Sequence, residues 1–499
     1  MNATDPRFAR NPKAPAAPEP ERLYAARVPV FPRKVDGFFR RFKWTVMALC
    51  LSVYWGTPWI RWDRGPYAPN QAVLVDLAHR RFYMFAIEIW PHEFYFVAGL
   101  LIMAGIGLFL VTSVVGRAWC GYACPQTVWT DLYQHVDRII DGDRNAQMRL
   151  HNAPWTAAKI ARRAFKWSVW LLIAFLTGGA WIFYFADAPT LQRAFWTGTA
   201  DPVAYATTFI LTMTTFVLGG FMREQVCIYM CPWPRIQSAM LDEKSLLVTY
   251  KDWRGEPRGS LKAAQRAAAD PDAAPVGDCI DCLQCVAVCP TGIDIREGAQ
   301  IGCITCGLCI DACDKAMAQV GRPRGLIDYC TLENAEKEAK GAPDTPILKT
   351  ILRPRTLIYF GVWGGIGVAL LFMLGARTRL TLSVAKDRNP EFVQLSGGAV
   401  RDGFTVKVRN MEDRPRLVTI GTAGLAGAKI YTDDMDEHLA APDLTMTAPA
   451  DTTLRLRLYV WAPKGAHPGP FELRLTADDR EKGGQTVRAA YSTPEGTGQ

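Results

Sequence analysis

Eight cysteines between Cys279 and Cys313 carry the clearest chemistry in this chain. They read Cys279-Ile-Asp-Cys282-Leu-Gln-Cys285-Val-Ala-Val-Cys289-Pro290 and Cys303-Ile-Thr-Cys306-Gly-Leu-Cys309-Ile-Asp-Ala-Cys313, two copies of C-x2-C-x2-C-x3-C. A cubane iron–sulfur cluster takes thiolate ligands, three from one tight loop and a fourth from elsewhere. In the bacterial two-cluster ferredoxin run, the fourth cysteine of each copy serves the other cluster. The spacing therefore predicts Cys279, Cys282, Cys285 and Cys313 on one [4Fe–4S] cluster, and Cys303, Cys306, Cys309 and Cys289 on the other. The second copy ends Cys313-Asp314 where proline is usual, and the link from Cys289 to Cys303 is short for a ferredoxin; neither change removes a ligand. Zinc knuckles do not call for the third and fourth cysteine of each run. Disulfides do not persist on the reducing side of a membrane.

Two more cysteine pairs share a pattern of their own. Arg117-Ala118-Trp119-Cys120-Gly121-Tyr122-Ala123-Cys124-Pro125 and Arg223-Glu224-Gln225-Val226-Cys227-Ile228-Tyr229-Met230-Cys231-Pro232 each contain C-x3-C-P. Residues four apart share one side of a helix. The proline disfavours helix at the residue before it, so the turn should end at the second cysteine and present both sulfurs together. One such pair could be two small buried hydrophobes; two copies placed alike point to chemistry. Four thiolates suit a soft metal, either Cu(I) or another cluster. Met222 and Met230 are either thioether donors or helix-end packing. Arg117, Arg223 and Arg235 would lower nearby thiol pKa values, although arginine at a membrane boundary is also ordinary. Cys50 and Cys330 stand singly and read as packing, and His79, His92 and His135 are each isolated. There is no C-x-x-C-H haem attachment, no P-loop, and no G-x-G-x-x-G between a strand and a helix.

These motifs are held by long apolar blocks. The 499 residues allow about three domains. The net charge of +9 is spread out, with no basic stripe interleaved with aromatics, so no nucleic-acid partner is expected. Residues 1–43 read as a disordered basic tail, with seven prolines in the first 32 positions. Its Arg33, Lys34, Arg40, Arg41 and Lys43 precede an apolar run from Trp44 to Trp59 and mark the N-terminus as cytoplasmic. Further runs span Phe94–Gly116, Trp167–Ala186, Pro202–Met222 and Thr356–Ala376, each long enough to cross roughly 30 Å of hydrocarbon. The loop from Arg117 to Lys166 carries eight Lys or Arg, that from Asp187 to Asp201 only Arg193. The expected fold is thus a bundle of five transmembrane helices, four of them in 44–222 with the first C-x3-C-P at 120–125. Residues 223–355 form a cytoplasmic segment with the second C-x3-C-P and a ferredoxin-like domain at about 270–320. The fifth helix is 356–376. Residues 377–499 hold no cysteine. Six alternating stretches there, Leu380–Val384, Phe404–Val408, Leu417–Ile420, Leu454–Trp461, Phe471–Thr476 and Thr486–Tyr491, predict an immunoglobulin-like β-sandwich on the periplasmic face.

With these motifs in place the chain resembles the cytochrome c oxidase accessory proteins of the CcoG, FixG and RdxA type. The resemblance runs through Leu23-Tyr24-Ala25, Gln71-Ala72-Val73-Leu74, Trp119 through Thr127, Gly255-Glu256-Pro257-Arg258-Gly259, and Gly277 through Cys313. It implies an inner-membrane protein of a Gram-negative bacterium that helps assemble cbb-type oxidase and acts as a cupric reductase, turning Cu(II) into Cu(I) for the oxidase copper centre. It also implies oxidase subunits and copper chaperones or transporters as partners, and leaves room for a homodimer. On this view Cys120, Cys124, Cys227 and Cys231 hold copper or stand next to it. Related membrane ferredoxins with the doubled C-x3-C-P offer an alternative, a relay from quinol to a periplasmic reductase. A non-catalytic assembly scaffold with redox-sensing clusters is a third reading.

Overall fold

The computed structural model describes residues 28–269, 276–412, 414–477 and 484–494, so most of the expected tail lies outside it. The chain divides into two compact units, Met1–Thr57 with Val97–Gly365, and Pro58–Phe96 with Ile366–Gln499.

The first unit begins with α1 (Phe38–Gly56). Free backbone amides at a helix start need an acceptor, and here it comes from far along the chain. The amides of Phe39 and Arg40 donate to the Asp311 carboxylate at 3.2 and 2.8 Å. A side chain at Gly37 would collide with that carboxylate, its Cβ falling 2.2 Å from Asp311 Cγ. There follow α2 (Tyr95–Val115), α3 (Ala118–Tyr122), α4 (Pro125–Asp141), α5 (Arg144–Asn152), α6 (Ala157–Ile182), α7 (Ala188–Thr197) and α8 (Pro202–Thr215). The last continues as a π-helical stretch, Phe216–Met222. Packing of α6 on α8 is close because Gly178 has no side chain: a Cβ there would lie 2.8 Å from Thr208 O.

Four helical segments, Pro91–Val115, Ala157–Ile182, Pro202–Met222 and Pro354–Ala376, are long and apolar enough to cross a membrane. α1 is not among them, because Arg40, Arg41 and Lys43 occupy its first turns. α6 starts ten residues ahead of the expected Trp167 and stops at Ile182. Its extra turns hold Lys159, Arg162, Arg163 and Lys166, residues that favour helix regardless of charge, and the Thr156 hydroxyl caps them by accepting from the Lys159 amide at 3.2 Å.

In the second unit a meander of β1 (Val73–Asp76), β2 (Arg81–Met84) and β3 (Ile87–Ile89), not expected from sequence, is fastened by Arg81, which pairs with Glu88 at 3.2 Å and with Asp451. β4 (Leu247–Tyr250) and β5 (Ile327–Cys330) belong to the first unit, where they pair antiparallel. The C-terminal sandwich follows with β6 (Leu380–Lys386), β7 (Val393–Gln394), β8 (Val400–Asn410), β9 (Arg416–Ala423), β10 (Lys429–Thr432), β11 (Asp443–Ala448), β12 (Thr452–Ala462), β13 (Gly469–Ala477) and β14 (Gln485–Tyr491). One sheet runs β10-β12-β8-β6 with β7 on β8, the other β11-β9-β13-β14. All six expected strands are present, each longer than its alternating stretch; β7, β10 and β11 are additional. Along β8 every second residue is buried, as a strand with one face on a core requires. Phe404, Val406, Val408, Ile420, Leu458 and Leu473 fill that core.

Candidate metal centre

Both cysteine runs of the ferredoxin segment turn in the same way. In the first, Asp281 and Leu283 on either side of Cys282 have φ of 53° and 56°; in the second, Thr305 and Gly307 on either side of Cys306 have φ of 55° and 71°. Left-handed backbone costs a residue other than glycine roughly 1–2 kcal/mol, so three of these four positions keep a shape that local preference opposes. Each turn leads into a helix, Gln284–Val288 with Cys285 in it and Cys289 at its extended C-cap, and Leu308–Gln319 with both Cys309 and Cys313 in it. The ladder of β4 on β5 packs beneath, contributing Val248, Tyr250 and Ile327 to the apolar core around Cys279, Cys285 and Cys313.

The fold brings Cys313 beside Cys279, Cys282 and Cys285. Burial, and after it the nearby cysteines, raise the Cys313 and Cys285 thiols to about 12, while Arg296 pulls Cys285 the other way. Cys289 joins Cys303, Cys306 and Cys309 in a second group. Burial raises the Cys303 thiol to about 12 and the Cys309 thiol well above its ordinary value, with the other cysteines of the group adding to both. A cavity lined by Cys289, Cys303, Cys306 and Cys309, with Ile293 and Leu308, lies at this group. Thiols held this high stay protonated at neutral pH, so a metal must displace their protons on binding.

The C-x3-C-P motifs also fold alike. Cys120 is in α3, and Cys124, at φ −60° and ψ 129°, is extended before Pro125 opens α4. Cys227 is in a π-helical turn, Val226–Met230, and Cys231, at φ −79° and ψ 126°, is extended before Pro232 and α9 (Trp233–Met240). Only the first cysteine of each pair is therefore helical. The second has left the helix, as the following proline requires.

Tertiary contacts bring the two pairs together. Gln126 Nε2 donates to Leu218 O at 2.9 Å and to Arg223 O at 3.2 Å. Cys120 Sγ donates to Gln237 Oε1 at 3.0 Å, and Gln237 Nε2 donates to Thr112 Oγ1 at 3.2 Å. Burial lifts the Cys227 thiol to about 12, with Cys124, Cys120 and Cys231 adding to the rise. The Cys120 thiol is also raised by burial, against the pull of Arg117. Among the described residues no three His, Cys, Asp or Glu side chains converge closely enough to hold a single ion, in either cysteine region.

The quartet also docks on the octet. A Cβ on Gly121 would lie 2.6 Å from Ile304 O and 3.2 Å from Cys306 Cα, so glycine allows α3 to reach the second cysteine loop. Tyr122 and Tyr329 hydroxyls donate to Cys306 O at 2.9 Å and Thr305 O at 2.6 Å. Cys120 packs against a buried cluster that includes Val35, Val288, Ile304, Cys306 and Leu308. A small cavity bordered by Cys227 and Ile304 has Lys43, Asp131, Arg223 and Glu224 in its wall, and Arg40 Nη1 meets Asp131 at 2.8 Å.

Other expected donors lie elsewhere. Met230 is exposed; Arg223 is committed to Asp137 at 2.6 Å; His135 packs edge-on to Trp44; His79 pairs with Asp76 in the second unit. Sequence reasoning did not single out Asp311, Asp131, Gln237 or Tyr329. None lies in a spacing pattern that distinguishes it from an ordinary polar residue.

Long apolar helices, a doubled ferredoxin-type cysteine segment and a C-terminal β-sandwich define a membrane iron–sulfur protein. Residues 222–332 match the model of a 4Fe–4S dicluster domain, residues 96–141 that of a 4Fe–4S binding domain, and residues 370–493 that of the Ig-like fold at the C-terminus of FixG. The chain is 53% identical over 481 residues to protein RdxA of Cereibacter sphaeroides, covering 94% of this chain and 98% of that protein. It is 52% identical over 505 residues to the nitrogen fixation protein FixG of Rhizobium meliloti, covering 96% and 95%. Protein RdxB of Cereibacter sphaeroides is 51% identical over 464 residues, covering 92% and 95%. The chain belongs to the FixG/RdxA family.

Proposed function

We propose that this protein passes electrons through two [4Fe–4S] clusters to Cu(II), delivering Cu(I) for the copper centre of a cbb-type oxidase. Cys279, Cys282, Cys285 and Cys313 hold one cluster, and Cys303, Cys306, Cys309 and Cys289 the other. Copper receives its electron at or near Cys120, Cys124, Cys227 and Cys231. The observation that carries this reading is the contact of Gly121 and Tyr122 with the Cys306 loop, which brings the first C-x3-C-P motif against one of the two ferredoxin cysteine runs. Each [4Fe–4S] cluster carries one electron at a time, and soft cysteine sites hold copper as Cu(I), so one electron per ion is what the transfer needs.

Five membrane crossings fit this function. Among the described residues, 58–96 fold with the C-terminal sandwich, and 28–57 fold with the cysteine segments. α1 then carries the chain across despite its basic start, as a fifth span beside the four apolar helices. The positive-inside rule puts the basic N-terminal segment and the clusters in the cytoplasm, and the sandwich in the periplasm of a bacterial inner membrane. Oxidase subunits and copper chaperones or transporters are the partners this implies, with a homodimer as the form to look for.

The test is anaerobic. Purified protein is reduced, its EPR signal recorded, and Cu(II) added with a Cu(I)-specific chelator. Stoichiometric Cu(I) with loss of the cluster signal, absent from Cys279→Ser or Cys303→Ser, supports a cupric reductase. Reduced clusters that ignore Cu(II) but are oxidised by a quinone overturn it in favour of a quinol relay.

A further inference from the structure

We infer that Cys120, Cys124, Cys227 and Cys231 together hold a third iron–sulfur cluster, a relay between the ferredoxin clusters and copper, instead of forming a copper ligand set. This rests on the electron-transfer reading above and gives its terminal site a different occupant.

The donor set comes first. The group consists of four thiols, and Met230, one of the two thioether candidates, is exposed. An all-thiolate set of four is the ligand complement of an iron–sulfur cluster as well as of other soft metals, and the choice among them comes from the contacts that follow. Among the described residues the quartet does not close three sulfurs on one point, and neither does the ferredoxin octet. The quartet is thus open in the same sense as the octet. The match of residues 96–141 to a 4Fe–4S binding domain supplies only Cys120 and Cys124. Two ligands must come from outside that stretch, and Cys227 and Cys231 are the two the fold brings there.

Charge and contact agree with this. A cluster with four thiolates is anionic and needs compensation where water is excluded. Arg117 is buried at 3% exposure beside Cys120, with Nη1 on Ile301 O and Nε without a partner. That N–H is a spare donor for a sulfur. In the free protein Gln237 presents its carbonyl oxygen to the Cys120 thiol. Gly121 and Cys120 pack directly on the Ile304–Cys306 segment, so at this point the two cysteine groups touch. In the relay, one electron leaves a ferredoxin cluster, which goes from [4Fe–4S]+ to [4Fe–4S]2+, and enters the third cluster, which makes the opposite change. No bond or proton is exchanged. Cu(II) then takes that electron and becomes Cu(I).

The experiment is a count of iron and acid-labile sulfide in the full-length protein, purified anaerobically in detergent after cluster reconstitution. Three cubanes give about twelve iron per chain and two give about eight. The expected result is about twelve in the wild type and about eight in the variant with all four cysteines replaced by serine, which keeps both ferredoxin EPR signals. Cys124→Ser alone should also lose iron or alter the third signal, which covers the case in which the quadruple variant does not fold. About eight iron in the wild type, with Cu(I) bound at one per chain and lost in Cys124→Ser, would overturn the inference and make the quartet a copper site. The two proposals fail separately: twelve iron without copper reduction defeats only the cupric reductase, and copper reduction with eight iron defeats only the third cluster.

Discussion

Within the ferredoxin segment, three of the four sulfurs at each proposed centre come from one run of seven residues, and the fourth from the other run close by in sequence. The C-x3-C-P group is assembled differently. Its pairs sit at the ends of α3 and of the Val226–Met230 turn, and they meet only because α4, α9 and the π-helical end of α8 pack together. The first site is thus written into local sequence and the second into tertiary structure. Disruption should follow that division, with ligand loss being absolute in the octet and packing changes falling mainly on the quartet.

The largest effect expected is from Cys303→Ser. It removes a ligand from the group facing Gly121, so one cluster signal should vanish from the EPR spectrum and Cu(II) reduction should drop at least tenfold. Retention of both signals would show that Cys303 is not a ligand. Next is Gly121→Val. The added side chain meets the Ile304 carbonyl and the Cys306 backbone, which cannot move aside as a flexible side chain could. The ferredoxin signals should remain while reoxidation of the reduced clusters by Cu(II), followed by stopped flow, slows about tenfold or more, the size of effect that a small misplacement can produce. Unchanged kinetics would mean that the electron leaves by another route.

The same contrast explains what could be read from sequence. Cysteine spacing is a local property, so an iron–sulfur segment is legible in the sequence, and the fold then sets Cys313 near the first run and Cys289 near the second. Four long apolar helices and six of the sandwich strands are legible too, because their periodicity is regular over many residues. The strands β1–β3 were not visible, since runs such as Ile87–Ile89 are too short to show alternation. The π-helical winding at Phe216–Met222 and Val226–Met230 was also hidden; Gly219 and Gly220 there lie against Tyr133 and Trp170, and a packing partner cannot be read from a one-dimensional pattern. Asp311 is the plainest case. In sequence it is one polar residue in the last cysteine run, and in the fold it caps α1 more than 250 positions away.

Replacing Asp131 by Ala tests the ground between the two cysteine groups. Asp131 is paired with Arg40, and Lys43 is buried in the same cavity. Removing the carboxylate leaves buried cations uncompensated, a change that typically costs 3–5 kcal/mol. Chemical denaturation should show that loss, and Asp131→Asn, which keeps the shape but not the charge, should show a similar one. Phe404→Ala makes a cavity in the sandwich core, where about 3–5 kcal/mol is expected. It should lower the stability of the second unit and leave every EPR signal as it was. A change in cluster signals would mean that the sandwich contributes to the metal sites after all.

The smallest expected effect also belongs to the second unit and is set by pH. Burial, then the nearby Asp451, raises the Glu88 carboxyl from 4.5 to about 7, with Arg81 and Arg377 opposing. A carboxyl whose folded pKa is raised favours the folded state most when protonated. Its contribution is therefore complete below about 4.5 and is lost as pH rises through about 7. The melting temperature of the second unit should fall by a few degrees across that window, and Glu88→Gln, which cannot ionise, should flatten the decline. The Arg81 link from Glu88 to Asp451 makes the β1–β3 meander the first place to loosen, so its amides should exchange hydrogen faster at pH 8 than at pH 5 after correction for intrinsic rates. Equal slopes in the wild type and Glu88→Gln would exclude Glu88 as the source. The cysteine octet and quartet have no member in this unit, so their signals should not follow this transition.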